Sequence, residues 1–296
     1  MCELLSRGYL MHAGRGLLLS VLVLQLWGTV SRAEGETLYE ASAIALTENE
    51  AQTVPMRSTD RLPEASGTVR VERRGGMTDI DVELDSMKPA SLFGGDYNTY
   101  VLWVVPPSGV AESLGEILID GGHATLHSRT TSLQFAILVS AEPHYLVSAP
   151  SAFIVLTNEA TASGRKINLP LIEGVYNFDR SSLDNVKEAK GKVHSEVKQA
   201  FTAVRLARRA GAASLAGEQF LQAQRALQET IALWRERKDP AEIAAQARET
   251  VRLGVVAQRL ALDRAFQSTP VRTEGSGGGK VEAERRDLRG TGSVWK

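Results

Sequence analysis

Cysteine is almost absent from this sequence, since Cys2 is the only one in 296 residues. Cys2 lies in a segment that we expect to be removed by cleavage, so the mature chain would have no thiol. A chain without a thiol has no disulfides, no cysteine-ligated metal and no cysteine nucleophile. Aromatic residues are also scarce, at 6%, which suits an alanine-rich helical part better than a large enzyme core.

The chain has little net charge, −1 at pH 7, so no overall field directs it to nucleic acid and we expect no nucleic-acid partner. The charge is nevertheless uneven. Residues 66–158 contain five Lys and Arg against ten Asp and Glu, whereas residues 181–266 contain fifteen against ten. Opposite signs could favour docking of the two parts. Separate solvated faces are the alternative, because exposed charge pairs contribute little.

No apolar run reaches the roughly 20 residues that span a bilayer, but a shorter one lies near the N-terminus. Arg7 and Arg15 precede an apolar segment, Leu17–Trp27. In Ser31-Arg32-Ala33, small residues stand at positions −3 and −1 relative to a cleavage site before Glu34. This pattern predicts a secretory signal over residues 1–33. An uncleaved membrane anchor is the alternative. After cleavage we expect no stable transmembrane span and a periplasmic or secreted protein.

Strand patterns dominate residues 65–160, whereas residues 34–64 have weak periodicity and predict a linker or disordered arm, part of which could add an edge strand. Gly75-Gly76 separates two alternating segments and predicts a hairpin with one solvent-exposed face. The strand segments are Thr68–Arg73, Thr78–Leu84, Tyr100–Val105, Leu114–Ile119, Ala124–His127, Phe135–Ser140 and Phe153–Leu156. About seven short strands predict an immunoglobulin-like β-sandwich with the Trp103 strand in its core.

Helical periodicity begins after a connector at 161–180 and continues over residues 181–267. Apolar residues recur there at three-, four- and seven-residue spacings in three segments. Short connections between such segments predict an antiparallel three-helix bundle. The last residues, 268–296, predict a flexible tail, since Gly275–Gly279 has the composition of a linker. The expected fold is therefore a multidomain α+β protein, an immunoglobulin-like β-sandwich followed by this bundle.

Capping residues mark the expected ends of the helices. The first helix is predicted to begin near Ser181 or Ser182 and to end at Gly211. Ser214 is expected to cap the second helix. Asp239-Pro240 predicts the start of the third helix, with Asp as the N-cap and Pro at the first helical position.

The helical sequence, from AFTAVRLARRAGAASLAGEQFLQAQRALQETIALW to DPAEIAAQARETVRLGVVAQRLALDRA, is similar to an alanine-rich periplasmic family of unknown function. The segments NTYVLWVV, SLGEILIDGG and FAILVSAEPHYLVSAPS resemble the β domain that precedes those helices. The resemblance implies a bacterial envelope protein. Family members often continue into an OmpA-like peptidoglycan-binding domain, whose Asp/Arg motif is missing here. Direct cell-wall binding is therefore not implied, and we expect a naturally short member or an early end of the reading frame.

Some residue pairs resemble parts of catalytic or metal sites. His123 and His127 would share a strand face, and His144 follows, but a metal site needs a further converging ligand. Ordinary surface histidines are the alternative. Ser195 and Lys198 match S-x-x-K without the companion motifs of penicillin-recognising enzymes. We therefore expect no catalytic residues, no metal and no cofactor.

Charged clusters and a glycine run leave two further interpretations open. Asp79, Asp81 and Glu83 would share a strand face and could bind a cation weakly, or simply face solvent. Gly275–Lys280 lacks the spacing of a phosphate loop. A basic patch on the first helix could meet anionic lipid or cell-wall polymer, or be a solvated face. The patch consists of Lys198, Arg205, Arg208 and Arg209.

These patterns together predict a non-enzymatic, exported cell-envelope protein. Its helical bundle would act as a spacer or protein-interaction module, with other envelope proteins or cell-wall polymer as partners. A glycan- or peptide-binding β-sandwich on a helical stalk is the alternative. A hydrolase with a dispersed site is a third hypothesis.

Overall fold

Antiparallel β-strands come first along the chain and helices follow, in a computed structural model that describes residues 38–160, 164–171 and 195–268. This order confirms the predicted α+β class. The described residues belong to one compact unit, Glu36–Lys296. The expected signal peptide, the expected start of the first helix and the expected tail beyond Ser268 lie outside the described residues.

The described residues form eleven strands and a short 3-10 helix at Ala90–Phe93. The strands are β1 (Leu38–Ser42), β2 (Ile44–Ala45), β3 (Ala51–Ser58), β4 (Ser66–Arg74), β5 (Met77–Asp85), β6 (Thr99–Val105), β7 (Glu112–Ile117), β8 (Ala124–Thr130), β9 (Gln134–Glu142), β10 (Ile154–Asn158) and β11 (Lys166–Pro170). Neighbouring strands follow the order β7-β6-β9-β10-β3-β4-β5-β8, β2 pairs with β9, and β1 pairs with β11.

The two ends of this strand order, β7 and β8, lie beside each other, so that the sheet nearly closes like a barrel. Ser128 Oγ on β8 donates to the carbonyl of Leu114 on β7 at 3.0 Å, and Thr130 Oγ1 donates to Glu112 Oε2 at 2.8 Å. The register of β6 and β7 shifts near Gly115, whose φ of 133° is one that residues with a side chain rarely adopt. Such bulges bend a sheet and are common at barrel rims.

Alternating side chains fill the interior of this nearly closed sheet. On β5, Ile80, Val82 and Leu84 are buried in the interior, and the residues between them face outward. β4 and β5 pair in the predicted hairpin around Gly75-Gly76, with Arg70 opposite Asp81 on the outer face. The predicted hairpin with one solvent-exposed face is confirmed.

A second layer covers the outer face of β6, β9 and β10. Trp103 on β6 is fully buried there in a cluster with Leu138 of β9 and with Ile167 and Leu169 of β11. All seven residues of β6 are buried. The prediction of fully buried strands at Tyr100–Val105 and Phe135–Ser140 is confirmed, because β1 and β11 shield the face that would otherwise meet solvent.

The structure differs from the prediction of a linker or disordered arm at residues 34–64, because β1, β2 and β3 lie within this stretch. β3 lies inside the sheet, between β10 and β4, with Val54 and Met56 buried. It contains Pro55 and several polar residues on its outer face, so its own alternation is weak. Its strand structure comes from pairing with two neighbours that are distant in sequence. The expected connector likewise contributes β11, which pairs with β1.

Four helices follow in the described residues: α1 (Ser195–Arg209), α2 (Ala212–Leu215), α3 (Gly217–Arg235) and α4 (Pro240–Ser268). Gly211 ends the first helical run with a φ of 79°, as predicted. Asp239 Oδ1 accepts a hydrogen bond from the Ala241 amide at 2.9 Å, which confirms Asp239 as the N-cap of α4. The prediction that Ser214 caps the second long helix is wrong. Ser214 lies inside the extra turn α2, and its hydroxyl donates to the Gly211 carbonyl.

Small residues bring α1, α3 and α4 close together. A Cβ on Gly254 of α4 would lie 3.0 Å from the carbonyl carbon of Ala203 on α1. The hydroxyls of Thr230 on α3 and Thr250 on α4 lie 2.9 Å apart and are buried. The described helices include none that is long and apolar enough to cross a membrane.

Candidate functional site

The helices dock on the β region through a buried polar interface beside the ends of β6, β7 and β9. We call this contact the docking interface. It consists of Asp96, Asn98 and Glu116 on the β side and Ser195, Gln199, Thr202, Arg205, Arg209 and Arg248 on the helical side. Buried charges are costly unless they are paired, so the pairing in this interface determines how firmly the two parts are joined.

Asp96, three residues before β6, is the most deeply buried charge of the docking interface. Its side chain has no solvent-exposed surface, and both carboxylate oxygens accept hydrogen bonds from α1. Arg209 Nη1 lies 2.9 Å from Oδ2, and Arg205 donates to Oδ1. The two arginines are four residues apart and therefore share one helix face. One carboxylate thus fixes the C-terminal half of α1 on the β region.

Asn98 continues the docking interface toward the start of α1. Its side-chain amide lies 3.0 Å from Thr202 Oγ1 and 3.0 Å from the Pro143 carbonyl. Ser195 Oγ donates to the backbone carbonyl of Asn98 at 2.8 Å. The first residue of α1 is therefore fixed to the β region by a hydroxyl, and the S-x-x-K serine serves the interface.

Glu116 on β7 binds groups from two different helices. Arg248 Nη2 of α4 lies 2.6 Å from Oε2, and Gln199 Nε2 of α1 lies 2.6 Å from Oε1. Thr99 Oγ1 on the neighbouring strand donates to the same Oε1 at 2.7 Å. Gln199 Oε1 also accepts the Tyr145 amide at 3.0 Å. A single carboxylate therefore holds α1 and α4 at defined positions on the sheet.

The uneven charge of the sequence has a structural counterpart in this interface. Asp96 and Glu116 belong to the acidic half of the chain, and Arg205, Arg209 and Arg248 belong to the basic half. These three ion pairs join the two halves, in line with the docking interpretation of the charge pattern. Other charges, such as those of the β4–β5 hairpin, do face solvent.

A groove of about 300 Å³ lies between α1 and α3. We call it the α1–α3 groove. It is lined by Phe201, Val204, Arg205, Arg208, Leu227, Gln228 and Ile231. Arg208 is exposed, and its guanidinium lies 5.8 Å from the centre of the Phe220 ring. Four of the lining residues are apolar, the other three are Arg205, Arg208 and Gln228, and the lining includes no carboxylate. Three arginines of the predicted basic patch are thus in the docking interface or this groove, whereas Lys198 is in neither.

A buried glutamic acid lies at the end of β9, beneath the loop that meets the helices. Glu142 Oε1 accepts hydrogen bonds from Ser140 Oγ at 2.5 Å and from the Ser151 amide at 2.7 Å. Trp103 Nε1 donates to Ser140 Oγ at 2.8 Å. Glu142 Oε2 has no hydrogen-bond partner among the described residues. Burial raises the pKa of Glu142 to about 8, so the side chain is protonated at neutral pH.

His144, two residues further along, is buried as well. Its Nδ1 has no hydrogen-bond partner within the described ranges. Burial and, to a smaller extent, the positive charge of Arg259 on α4 lower the pKa of His144 to about 4. The imidazole is therefore neutral at physiological pH. Glu142 and His144 are both shielded from solvent, and neither can contact a substrate in this conformation.

Several other residues considered from sequence are paired on the surface of the β region. His127 Nδ1 lies 2.7 Å from Asp81 Oδ1, and Asp79 Oδ1 accepts from Arg129 Nε at 2.5 Å. His123 Nδ1 lies 2.9 Å from Asp85. The described ranges hold no group of three or more His, Cys, Asp or Glu side chains placed to bind a metal ion. Gly275–Lys280 lies outside the described residues.

Sequence reasoning missed Asp96, Asn98, Glu116 and Gln199. Asp96 and Asn98 directly precede a fully apolar strand, and a charge at that place must be paired or exposed. That signal, combined with the charge imbalance between the halves, could have identified Asp96. Its helical partners could not be found, because they are more than 100 residues away and depend on how α1 lies on the sheet.

Comparison with known proteins returned no match: no family model, no curated protein and no solved structure matches this chain. The function must therefore be inferred from the residues themselves.

Proposed function

We propose that this chain is a non-enzymatic, exported protein of a bacterial cell envelope whose helical part acts as a spacer or protein-interaction module. The docking interface is the observation that carries this proposal. Asp96 and Glu116 fix two helices on the β region through hydrogen-bonded ion pairs. A helical part held in this way presents its remaining surface at a fixed position, as a spacer or a docking module requires.

The finer architecture belongs to the same proposal. An antiparallel three-helix bundle is supported by the order of contacts between α3 and α4. Arg264 of α4 reaches the carbonyl of Leu215 just before α3, while Gln246 reaches Glu229 further along α3. An immunoglobulin-like sandwich is supported by the β1–β11 pair, which packs on the outer face of β6, β9 and β10.

The location and the family are proposed from the N-terminal sequence and from the resemblance. Arg7 and Arg15, the apolar segment that ends at Trp27 and the Ser31-Arg32-Ala33 site support export by a cleaved signal. The alanine-rich helices support membership of the periplasmic family. The partners would be other envelope proteins or cell-wall polymer, and not nucleic acid.

A non-enzymatic role is proposed because the strongly perturbed titratable groups are enclosed. Perturbed pKa values often mark active sites, but such groups must meet a substrate. Glu142, at the end of β9, and His144, in the loop that follows, are both buried. Their burial supports a role in the packing of this loop and not in catalysis.

Cell fractionation of a C-terminally tagged chain, expressed in a bacterial host, tests the proposal. We expect a periplasmic or secreted species whose mass corresponds to cleavage after Ala33. An Ala33→Arg variant should accumulate as the uncleaved form, because it replaces the small residue that signal cleavage requires just before the cleavage site. Recovery of the wild-type chain in the cytoplasm at its full mass would contradict the proposal.

A further inference from the structure

We propose that the α1–α3 groove binds the apolar face of an acidic, amphipathic helix from a partner protein. This inference rests on the proposed function as a protein-interaction module and names the surface and the chemistry of the partner. Three features support it: a partly exposed apolar residue on each wall of the groove, the sign of the groove's charges and the positive charge around the exposed apolar end of α4.

The apolar residues of the groove stand at helical spacing on both walls. Phe201 and Val204 are three residues apart on α1, and Leu227 and Ile231 are four apart on α3. Val204 and Leu227 are buried in the helical core, whereas Phe201 and Ile231 are partly exposed and are the apolar residues that a further helix can contact. An amphipathic helix lays its apolar face into such a groove through residues at i, i+3, i+4 and i+7. A volume of about 300 Å³ accommodates a few apolar side chains.

The charge of the groove selects an acidic partner. Arg205 and Arg208 are its charged lining residues. Arg205 also pairs with Asp96 on the side of the β region. Arg208 is exposed and forms no ion pair with the described residues, so it offers its guanidinium to an incoming carboxylate. Arginine binds carboxylates with paired hydrogen bonds, which gives direction as well as attraction.

A second copy of this chain is less suited to the groove. The exposed apolar residues near the end of α4 are Leu262 and Phe266, the latter 85% exposed. The charged residues around them are Arg259, Asp263 and Arg264, which carry a net positive charge at neutral pH. Two positive surfaces repel each other, so the groove favours a partner of opposite charge.

A peptide selection with the purified chain tests this inference. The probe is a display library of 18-residue helices with leucine at i, i+3, i+4 and i+7 and with Glu, Lys, Gln or Ala at the other positions. We expect the selected peptides to carry Glu beside the leucine stripe. Fluorescence anisotropy of a selected peptide should then show about tenfold weaker binding to Arg208→Glu, because reversal of one charge replaces attraction by repulsion.

Matched variants separate the groove from general surface charge. Arg225→Glu makes the same change of charge on the exposed face of α3, outside the groove, and should change the affinity less than about twofold. Gln228→Trp places a large ring in the groove and should abolish binding. Circular dichroism of both Arg→Glu variants should match that of the wild type, since both arginines are exposed.

Several outcomes would overturn the inference. One is a selection that enriches no peptide, and another is enrichment of Lys as often as Glu. Equal loss of binding in Arg208→Glu and Arg225→Glu would indicate a charged surface without a specific groove. If phosphatidylglycerol vesicles bind and compete with the peptide, the ligand of the groove is a lipid. If the chain forms concentration-dependent dimers that Gln228→Trp prevents, the groove serves self-association. Cell fractionation tests export without reference to the groove. The peptide-binding inference and the proposed location can therefore be contradicted independently of each other.

Discussion

Glu116 Oε2 and Arg248 Nη2 lie 2.6 Å apart although 132 positions separate the two residues in the chain. The glutamate side chain is 6% exposed and the arginine side chain 37%. Arg248 also lies 4.7 Å above the ring of Tyr145, in the loop after β9. Helix α4 is thus fixed to strand β7 through Glu116 and to the loop after β9 through Tyr145. This relationship makes the β region and the helices mechanically one body.

Replacement of Asp96 by Asn should destabilise the protein by about 3 kcal/mol. The amide keeps the shape of the carboxylate but leaves Arg205 and Arg209 without a negative partner. The value lies at the low end for a broken buried pair, because both arginines keep some contact with water. Urea unfolding followed by circular dichroism measures the change.

Asp85→Asn is the matched control for that experiment. The side chain of Asp85 is exposed and pairs with the exposed His123, so the same change of charge should cost less than about 0.5 kcal/mol. Equal effects of the two substitutions would show that Asp96 is not a structural anchor.

The fold could be predicted where one segment determines its own structure. The β4–β5 hairpin, the two buried strands and the Asp239-Pro240 helix start follow from alternation, hydrophobicity and capping, and all are present. β3 could not be predicted, because Pro55 and its polar outer face weaken the local pattern and the strand exists through its two neighbours. The docking interface could be anticipated only as a difference of charge. Which residues meet depends on the position of α1 on the sheet, and that position has no local signal.

The stability that His144 contributes should decrease as the pH falls. Its pKa in the folded state is about 4, below its ordinary value of 6.5, so the folded state resists a proton that the unfolded state accepts. This contribution to stability is complete above pH 6.5 and is lost as the pH falls toward 4, by about 3 kcal/mol in total. In a Glu142→Gln background, which lacks the opposing contribution of Glu142, His144→Leu should remove this dependence, and chemical unfolding at several pH values measures it. His127→Gln, at an exposed position, should retain the dependence of the wild type.

Glu142 should produce the opposite dependence, and its window overlaps that of His144 between pH 4.5 and 6.5, where the two contributions nearly cancel. Its pKa in the folded state is about 8, above the ordinary value of 4.5, so the unfolded state releases its proton first. Stability contributed by the protonated side chain is therefore lost as the pH rises from 4.5 to 8, by about 5 kcal/mol.

Glu142→Gln should abolish this loss, because the amide stays neutral and can still accept the hydrogen bonds of Ser140 and Ser151. The variant should be more stable than the wild type at pH 8, whereas Glu64→Gln, at an exposed position, should not be. A Glu142→Gln variant whose stability changes with pH in the same way as that of the wild type between pH 4.5 and 8 would show that Glu142 is ionised in the folded state.

Gly254 sets the separation of α1 and α4. A Cβ at this position would meet the backbone and Cβ of Ala203 at 3.0 to 3.2 Å. Gly254→Leu should therefore force the helices apart and destabilise the protein by about 1–3 kcal/mol. Gly217→Ala is the control, since nothing lies within 4 Å of its added Cβ. Thermal unfolding compares the two, and a Gly254→Leu variant as stable as Gly217→Ala would mean that the close helix approach does not exist.

The distance between a label on the β region and a label on the helices tests most directly whether the two parts form one body. Thr125→Cys on β8 and Arg225→Cys on α3 place spin labels at exposed positions, in a chain whose Cys2 is replaced by Ser. Pulsed electron paramagnetic resonance should show a single narrow distance distribution. The added substitutions Asp96→Asn and Glu116→Gln should broaden it, because the helices then lose their anchors. A distribution that is already broad with both carboxylates in place would contradict a helical part fixed on the β region.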